Sequence, residues 1–573
     1  MYDLNLPQDV LFYICEELAN LQDFGTLFNC ARTGSSLAGI ALGWLYKIHH
    51  LSPVISSEGN DAELTKNQGL EYDAQVSKQR NMVAKWALQW KSVIRSCLGQ
   101  TLYPYGLYIR VLDLSNLSDL LDDTSFRDQL QRDFFAGDMA QFLKAQETPV
   151  KRKTRKEPKS VYNRLTIPLI LEAVGESITS YVTESASQSH STVALEDLSG
   201  DINTTSLSQW TGRLSKLKSL TIWDGGALTA NVATSIANNC FEFDDLSVYK
   251  VGDDDDSSLA SFFSALRPNT LRSFTAQTAD GVGPETLLAL NHHCGSLKTL
   301  KLHGVKPNGI KNLNHLQGCN FLETLDLTAD RQAGFIDLKA TENDVYLEVI
   351  AWLRKCEQLR ELLLQGLNTA PSILTEVCLS NNTKLQKLVV TGYPVIDNQD
   401  FHRALSHQTS LEHLELKADA EGGFRDDIDI LIQSITKLPK LKHLNLVPTS
   451  EYFRPPDIIN LARHMRNLEE LWFMGYDVDD SIWYSISSLR QLRVLNILSL
   501  SSFTLDGILA FIAQLQPDTN HGLLLAVMNQ NPVHAFTDIE QGIIRQAIEE
   551  KVNGTFEFVL FREEDSASEE LSD

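Results

Sequence analysis

The segment Leu411–Leu416, which reads LEHLEL, repeats a pattern that recurs through most of the chain. The pattern is an aliphatic residue or Phe, two residues, a second apolar residue, one residue and a third apolar residue. Its eleven copies begin at Leu217, Phe243, Leu271, Leu297, Leu322, Leu359, Leu385, Leu411, Leu441, Leu468 and Leu492. Successive copies start 24 to 37 residues apart, most often 26, and this period and signature are typical of leucine-rich repeats.

The spacing predicts one strand in each repeat. The last two apolar positions are two residues apart, so on a strand both side chains point to the same, inward face. Amphipathic segments between the copies are expected to be helices, and they are 258–266, 284–292, 400–406, 428–435, 456–464 and 505–515. Stacked strand–helix units predict the α/β class: a leucine-rich-repeat horseshoe, which is a solenoid with an inner parallel sheet and outer helices.

The interval ahead of the eleven copies is less regular. A further copy starts at Ile109, 108 residues before Leu217, and about four repeats of ordinary length would fit between the two. A weak copy around 193–198 favours degenerate units there. The segment 145–159 is polar and basic, and we expect it to be a loop insertion.

The repeat domain is predicted to span residues 105–561. A long interval after Leu322 predicts a second loop around 329–341, and Gly554–Phe561 alternates like a closing strand. Residues 562–573 are acidic and are predicted to be a disordered tail.

Composition limits the classes of function. The net charge is −24, which disfavours a nucleic-acid partner because phosphate would be repelled. Eight cysteines contain no C-x-x-C pair, so neither a zinc site nor a disulfide framework is indicated. There is no apolar run of roughly 20 residues and no signal-peptide pattern at the start. We therefore expect a cytoplasmic and/or nuclear protein that binds no membrane. The basic run 151–156 is either a nuclear-import signal or a solvated loop.

Residues 1–50 have the pattern of three short helices. Pro7 suits a helix start, Asp23 is a good N-cap for the second helix, and apolar residues recur at helical spacing in all three. A domain this small usually needs disulfides, metal or a partner, and the first two are not indicated. The segment 51–104 is predicted to be a linker followed by a connecting helix.

This N-terminal segment is similar to an F-box. The residues that carry the resemblance are Leu6-Pro7-Gln8-Asp9-Val10-Leu11, Ile14, Leu18, Asp23-Phe24, Leu27 and Cys30-Ala31-Arg32. The chain departs from the family pattern at Thr33-Gly34, where members often have Trp or Phe. An F-box followed by leucine-rich repeats resembles the F-box/leucine-rich-repeat family over nearly the whole chain, in a style similar to members from filamentous fungi.

The resemblance implies a function and a set of contacts. The F-box would dock onto a Skp-type adaptor and, through it, a cullin scaffold, while the repeats capture an unknown target protein for ubiquitination and proteasomal degradation. The adaptor-binding residues carried over are Leu6, Pro7, Val10, Leu11, Ile14 and Leu18. The alternative is a leucine-rich-repeat scaffold that binds proteins without a ubiquitin ligase.

The target site is predicted on strand positions that alternate with the buried leucines and face the concave side. The candidates are Trp223, Tyr249, Lys301, His303, His413, Lys417, Trp472 and Met474. Exposed aromatic residues there would be natural binding anchors. The alternative interpretation is that each side chain packs against a neighbouring repeat.

The sequence contains no recognised catalytic motif, and we expect neither an enzyme nor a cofactor. Gly281-Val282-Gly283 lacks the third glycine of a dinucleotide fingerprint. His292-His293-Cys294 could ligate a metal but is better explained as a helix exit, and 253–256 is better explained as a solvated acidic loop. The sequence thus predicts a binding protein whose target it does not name.

Overall fold

The computed structural model describes six segments of the chain, which are 6–52, 70–146, 164–189, 193–333, 336–421 and 424–560. The chain forms two compact units, Met1–Leu271 and Arg272–Asp573. The predicted basic run at 151–156 and the predicted acidic tail at 562–573 lie outside the described residues.

Three short helices form the start of the first unit, as the sequence predicts. They are α1 (Gln8–Asn20), α2 (Phe24–Thr33) and α3 (Ser35–Lys47), followed by a 3₁₀ turn at His49–Leu51. Asp23 caps α2 by accepting a hydrogen bond from the Thr26 amide at 2.9 Å. Their shared core contains Cys15, Ala19, Leu27, Ala41 and Trp44.

A long helix, α4 (Leu70–Cys97), connects these helices to the repeats. Tyr46 of α3 is hydrogen-bonded to Ser92 of α4, with the two hydroxyl oxygens 2.6 Å apart. On the other side, the Trp86 and Trp90 indoles both donate to the buried Asn116 Oδ1, at 2.8 and 2.9 Å. Because buried polar groups need partners, these bonds fix the orientation of α4 within the unit.

The remaining elements of the first unit include four strands of a parallel sheet and a separate antiparallel pair of short strands. The strands are β1 (Val111–Asp113), β2 (Ala145–Gln146), β3 (Arg164–Leu165), β4 (Asp197–Gly200), β5 (Ser219–Asp224) and β6 (Asp245–Lys250). The helices are α5 (Tyr105–Tyr108), α6 (Leu114–Asp122), α7 (Gln131–Phe134), α8 (Ile167–Ser189), α9 (Thr204–Thr211), α10 (Ala230–Asn239) and α11 (Asp256–Ala265). A π-helical turn spans Phe126–Leu130, and 3₁₀ turns span Gly137–Phe142 and Gly225–Ala227.

The interval between Ile109 and Leu217, long enough for about four repeats, contains one further strand of the parallel sheet, β4, which lies at the weak motif copy. Strand β1 pairs directly with β4, with Leu112 opposite Leu198, so no strand of the parallel sheet separates them. The described part of the interval is mostly helical, and its two remaining strands, β2 and β3, pair only with each other, antiparallel. They flank residues 147–163, where most of the predicted loop insertion lies outside the described residues.

The second unit repeats the strand–helix pattern. Its strands are β7 (Ser273–Thr278), β8 (Thr299–Val305), β9 (Thr324–Ala329), β10 (Glu361–Gln365), β11 (Lys387–Pro394), β12 (His413–Asp419), β13 (His443–Asn445), β14 (Glu470–Val478), β15 (Val494–Ser501), β16 (Leu524–Asn529) and β17 (Thr555–Leu560). The pairs from β7 to β17 are parallel and join each strand to the next in sequence. The α/β leucine-rich-repeat solenoid predicted from the sequence is therefore confirmed.

Helices connect these strands. They are α12 (Pro284–Ala289), α13 (Pro307–Ile310), α14 (Leu338–Thr341), α15 (Asn343–Leu353), α16 (Ala370–Cys378), α17 (Gln399–Leu405), α18 (Arg425–Ile435), α19 (Pro455–His464), α20 (Trp483–Ile486), α21 (Leu505–Gln514) and α22 (Asp538–Val552). The 3₁₀ turns are Leu290–His293, Leu313–Leu316, Asp480–Ile482 and Pro532–His534. The three apolar positions of each motif copy are buried, as at Leu411, Leu414 and Leu416.

Candidate functional site

The first candidate surface is an apolar stripe on the N-terminal helices. Leu6, Val10 and Ile14 are spaced four residues apart, and their side chains are 44%, 38% and 42% exposed. On the other side of the same helix, Cys15 and Ala19 are buried in the three-helix core. Residues four apart lie on one side of a helix, so α1 has one apolar side that is covered and one that is open.

The stripe extends beyond the residues that the resemblance implies. Pro7 is exposed beside it and Leu11 is partly exposed, whereas Leu18 packs against the three-helix core. Further large apolar side chains on α1 and α2 are exposed, and they are Phe12, Tyr13, Leu21 and Phe28. Phe28 falls at a core position of the predicted helical pattern but is 52% exposed. We call Leu6, Val10, Ile14, Tyr13 and Leu21 the α1 apolar surface.

The α1 apolar surface is held by the helices behind it. The Phe12 ring lies 5.4 Å from the buried Trp44 ring, measured between centroids. Tyr46 stacks on Tyr105 of α5 at 4.5 Å, and burial raises the pKa of the Tyr46 hydroxyl to about 12. The Tyr46 hydroxyl is therefore neutral at ordinary pH and serves as a structural contact with Ser92.

The second candidate surface is the sheet face made by strand residues that alternate with the buried ones, which we call the open face. Trp223 on β5 and Tyr249 on β6 stack on this face with ring centroids 4.0 Å apart and planes 6° apart. Each ring is half exposed, at 50% and 48%. The two aromatic residues predicted from sequence are thus brought together in the first unit.

The predicted residues on β8 form a polar group. His303 Nδ1 lies 3.2 Å from Gln277 Oε1, and His303 Nε2 lies 3.1 Å from Asp326 Oδ2 on the next strand. Lys301 is partly buried, with Asp326 opposite it in the β8–β9 register. His303 is therefore engaged with the strands on both sides of it at the open face.

His413 and Lys417 of β12 are brought together around Glu415. The Lys417 ammonium is 2.6 Å from Glu415 Oε1, and His413 Nε2 is 3.9 Å from Glu415 Oε2. The His413 imidazole, and after it Lys417, lower the pKa of the Glu415 carboxyl to about 2, although partial burial opposes this. The His413 ring also lies 5.4 Å from that of His443, which sequence reasoning did not single out.

The predicted pair on β14 has two different environments. Trp472 is 36% exposed, whereas Met474 is buried with 9% exposure. Met474 lies in register with Leu498 and Met528, and Val559 completes the row on β17. Sequence reasoning missed this apolar row because β16 lacks the repeat motif.

Five cysteine thiols and one histidine outside these surfaces are largely shielded from water. Burial raises the pKa of the Cys97, Cys240, Cys319, Cys356 and Cys378 thiols to about 12, so they stay protonated at neutral pH. His293, from the predicted His292-His293-Cys294 exit, is buried at a 3₁₀ turn. Within the described residues, no group of His, Cys, Asp and Glu is arranged to hold a metal ion.

None of the helices in the described part of the chain combines the length and the apolar character that crossing a bilayer demands.

The fold defines a leucine-rich-repeat solenoid protein with a helical N-terminal segment. No family model matches the chain, and no curated protein matches it. An internalin (inlF) from Listeria monocytogenes has 17% identity and a TM-score of 0.35, covering 54% of this chain and 76% of the internalin. Rad7, solved in complex with Elc1 in yeast, has 17% identity and a TM-score of 0.35, covering 57% of this chain and 83% of that one. TLR13, solved in a complex with ssRNA13, has 16% identity and a TM-score of 0.32, covering 59% and 57%.

Proposed function

We propose that this chain is the non-catalytic substrate-recognition subunit of an SCF-type ubiquitin ligase. Its N-terminal helices bind a Skp-type adaptor, which joins them to the cullin scaffold. Its repeats bind the target protein that is to be ubiquitinated and degraded by the proteasome. The observation that carries the proposal is the α1 apolar surface, found on the segment whose sequence resembles an F-box.

The size of that surface supports a protein partner. Large apolar side chains on α1 and α2 stay open although the same helices have a core of their own. Fully burying an exposed side chain of this kind contributes about 1.5–3 kcal/mol, and a partner that covers Leu6, Val10 and Ile14, which are 38–44% exposed, gains part of that from each. Leu18 acts differently, because it supports the helix from the core side.

The mechanism is proximity. The chain supplies no chemical group to ubiquitin transfer, and it raises the effective concentration of the target next to the ubiquitin-loaded machinery. The bonds from Tyr46 to Ser92 and from Trp86 and Trp90 to Asn116 keep the adaptor-binding helices fixed on the first unit. A fixed adaptor site is what a proximity mechanism requires.

The test is co-purification of the full chain with a Skp-type adaptor and a cullin, comparing the wild type with Val10→Asp/Ile14→Asp. Both side chains are exposed, so the double variant keeps its own core. It places two charges where the adaptor would have to bury them without partners, and we expect adaptor retrieval to fall at least about tenfold.

The control is Leu347→Asp, which changes a leucine on α15 that is 53% exposed and is expected to retain adaptor binding. Equal melting temperatures of the three proteins confirm that folding is unaffected. If the folded wild type retrieves neither adaptor nor cullin, the ligase proposal fails, and the chain is a repeat scaffold that binds proteins without a ligase.

A further inference from the structure

We propose that the open face of the first unit binds a basic segment of a partner protein, with a lysine or arginine side chain seated against the Trp223–Tyr249 pair. The inference rests on the proposed function only in taking that partner to be the recruited target. It starts from three features of the first unit: an exposed aromatic stack, unpaired carboxylates on the same sheet face, and a cavity with acidic walls.

The aromatic stack is a preformed anchor. Each ring covers one face of the other at 4.0 Å, which fixes both side chains before any partner arrives. Half of each ring surface nevertheless stays open. A fixed aromatic ring loses little freedom on binding, and the faces of Trp and Tyr attract cations through the ring quadrupole.

Other positions of the same sheet face, nearer the start of the strands, carry negative charge. Asp197 and Asp245 lie in one cross-strand row with Ser219 between them, and Asp113 lies opposite Ser199 at the edge strand. The serines, Ser199 and Ser219, donate hydrogen bonds to Asp113 and Asp245 at 2.8 and 2.9 Å. Within the described part of the chain, none of these three carboxylates forms an ion pair, and none of the open-face positions of β1 and β4–β6 is a lysine or arginine.

Three nearby basic side chains are already engaged, whereas Lys250, which lies opposite Asp224 in the β5–β6 register, is exposed. Lys218 contacts Glu196 at 2.8 Å, and Arg110 contacts the same carboxylate at 3.6 Å. Lys216 pairs with Glu242. Burial, and then repulsion from Glu196 and Asp245, raises the pKa of Asp197, as expected where negative charge is concentrated. A partner that brings positive charge would relieve this repulsion.

A cavity of about 560 Å³ opens where β5 ends. Asp224, which directly follows Trp223, lines it together with Asp201 and Glu172. Pro168 and Leu169 supply apolar wall, and no residue that lines the cavity is basic. Long basic side chains combine an apolar stem with a charged end, and such walls fit both parts.

Together these features select a basic protein segment as the occupant. A nucleic acid would meet carboxylates on both sides of the aromatic pair and be repelled. Neighbouring strands lie roughly 4.8 Å apart, so the surface from β1 to β6 spans about 15 Å and accommodates several residues of an extended segment. One basic side chain can then lie on the Trp223–Tyr249 pair while another enters the acidic cavity.

The experiment measures binding of fluorescent twelve-residue peptides to the full chain by fluorescence anisotropy at low and at moderate salt. One peptide contains four arginines, and the other has glutamine at those four positions. We expect the arginine peptide to bind at least about tenfold tighter, with affinity that falls as salt rises. Trp223→Ala and, separately, Asp201→Asn/Asp224→Asn should each weaken it about five- to tenfold.

Two controls separate a specific site from general attraction to an acidic protein. Asp128→Asn/Asp518→Asn removes the same charge at exposed positions elsewhere, and Tyr484→Ala removes an exposed aromatic ring on α20. Both controls should bind like the wild type. The proposal is overturned if the glutamine peptide binds equally well, if neither peptide binds, or if the controls weaken binding as much as the site variants do.

The outcome is independent of the ligase proposal. Trp223→Ala leaves the α1 apolar surface unchanged, so it should retrieve a Skp-type adaptor like the wild type. If the wild-type chain retrieves the adaptor but does not bind the arginine peptide, only the proposal about the open face fails. Peptide binding by a chain that retrieves no adaptor would instead keep the surface and reject the ligase role.

Discussion

His402 is the clearest case of a titratable group buried without full compensation. It lies on α17 in the core of the second unit, where its Nε2 atom is 3.4 Å from the Tyr393 hydroxyl. Its Nδ1 atom is buried without a hydrogen-bond partner in the described structure. Burial lowers the pKa of this imidazole to about 4, although the Asp427 charge acts in the opposite direction.

This depressed pKa predicts a loss of stability in mild acid. The unfolded chain takes up a proton near the ordinary value of 6.5, whereas the folded chain does so near 4. The free energy of unfolding should therefore fall as the pH drops from about 6.5 to about 4, by about 3 kcal/mol from this group. His402→Gln should flatten that dependence, as measured by urea unfolding at pH 7.5, 6.5, 5.5 and 4.5.

The control for this prediction is His407→Gln, which changes an exposed histidine just after the same helix. It should keep the pH dependence of the wild type. The buried His49 contributes equally in all three proteins and cancels from the comparison. If His402→Gln and His407→Gln change the dependence to the same extent, burial of His402 is not its source.

Single residues also mark the limit of sequence reasoning. Trp223 and Tyr249 occupy equivalent alternating strand positions, from which the repeat pattern predicts that both lie on the same sheet face. The burial of Met474 is not predictable in this way, since it depends on β15 and β16, and β16 lacks the motif. Leu18 was carried over as an adaptor contact, yet its side chain packs on the three-helix core, which spacing alone does not distinguish. Whether the α1 residues contact an adaptor stays a prediction.

At the scale of elements, α8 packs against α9 through a glycine. A Cβ atom on Gly175 would overlap the ring of Trp210, which is 1% exposed. The Trp210 indole is held in place by its hydrogen bond to Glu176 at 2.9 Å, and Glu176 also pairs with Arg213 at 2.9 Å. The close approach of these two helices therefore depends on the missing side chain.

Gly175→Ala should destabilise the protein by about 1–3 kcal/mol, because a methyl group is forced into a filled space. The matched substitution is Gly542→Ala on α22, where a Cβ atom would meet nothing within 4 Å. There alanine should stabilise by about 0.5–1 kcal/mol through helix propensity alone. Melting temperatures of the two variants should move in opposite directions, and a common direction would contradict the packing argument.

Elements were predictable where the motif is intact. The predicted segment 505–515 is α21 (Leu505–Gln514), and the closing strand predicted at the end is β17. Strand β16 was missed because Gly522, with φ of +75°, stands where the first apolar residue of the motif would be. The repeat count between β1 and β4 could not be predicted, since a repeat period does not distinguish degenerate units from a helical insertion of similar length.

At the scale of the whole molecule, the repeats determine how stability is distributed. Each strand of the parallel sheet within a unit pairs with its sequence neighbours there, so most stabilising contacts are between adjacent repeats. In such arrays stability is close to a sum of repeat and nearest-neighbour contributions. The eleven motif copies predict this architecture, but the repeat period does not reveal which surfaces stay open to partners.

A matched pair of substitutions tests this locality. Ile497 and Ile222 fill the last apolar position of the motif on β15 and β5, and both are fully buried. Replacing either with valine removes one methylene and should cost about 0.5–1.5 kcal/mol. Because contacts are between neighbouring repeats, Ile497→Val should raise amide hydrogen exchange in β14–β16 and leave β4 unchanged, as measured by mass spectrometry. Ile222→Val should raise exchange in β4–β6 and leave β15 unchanged. A uniform rise along the chain from either variant would mean that the array opens as one cooperative structure rather than repeat by repeat.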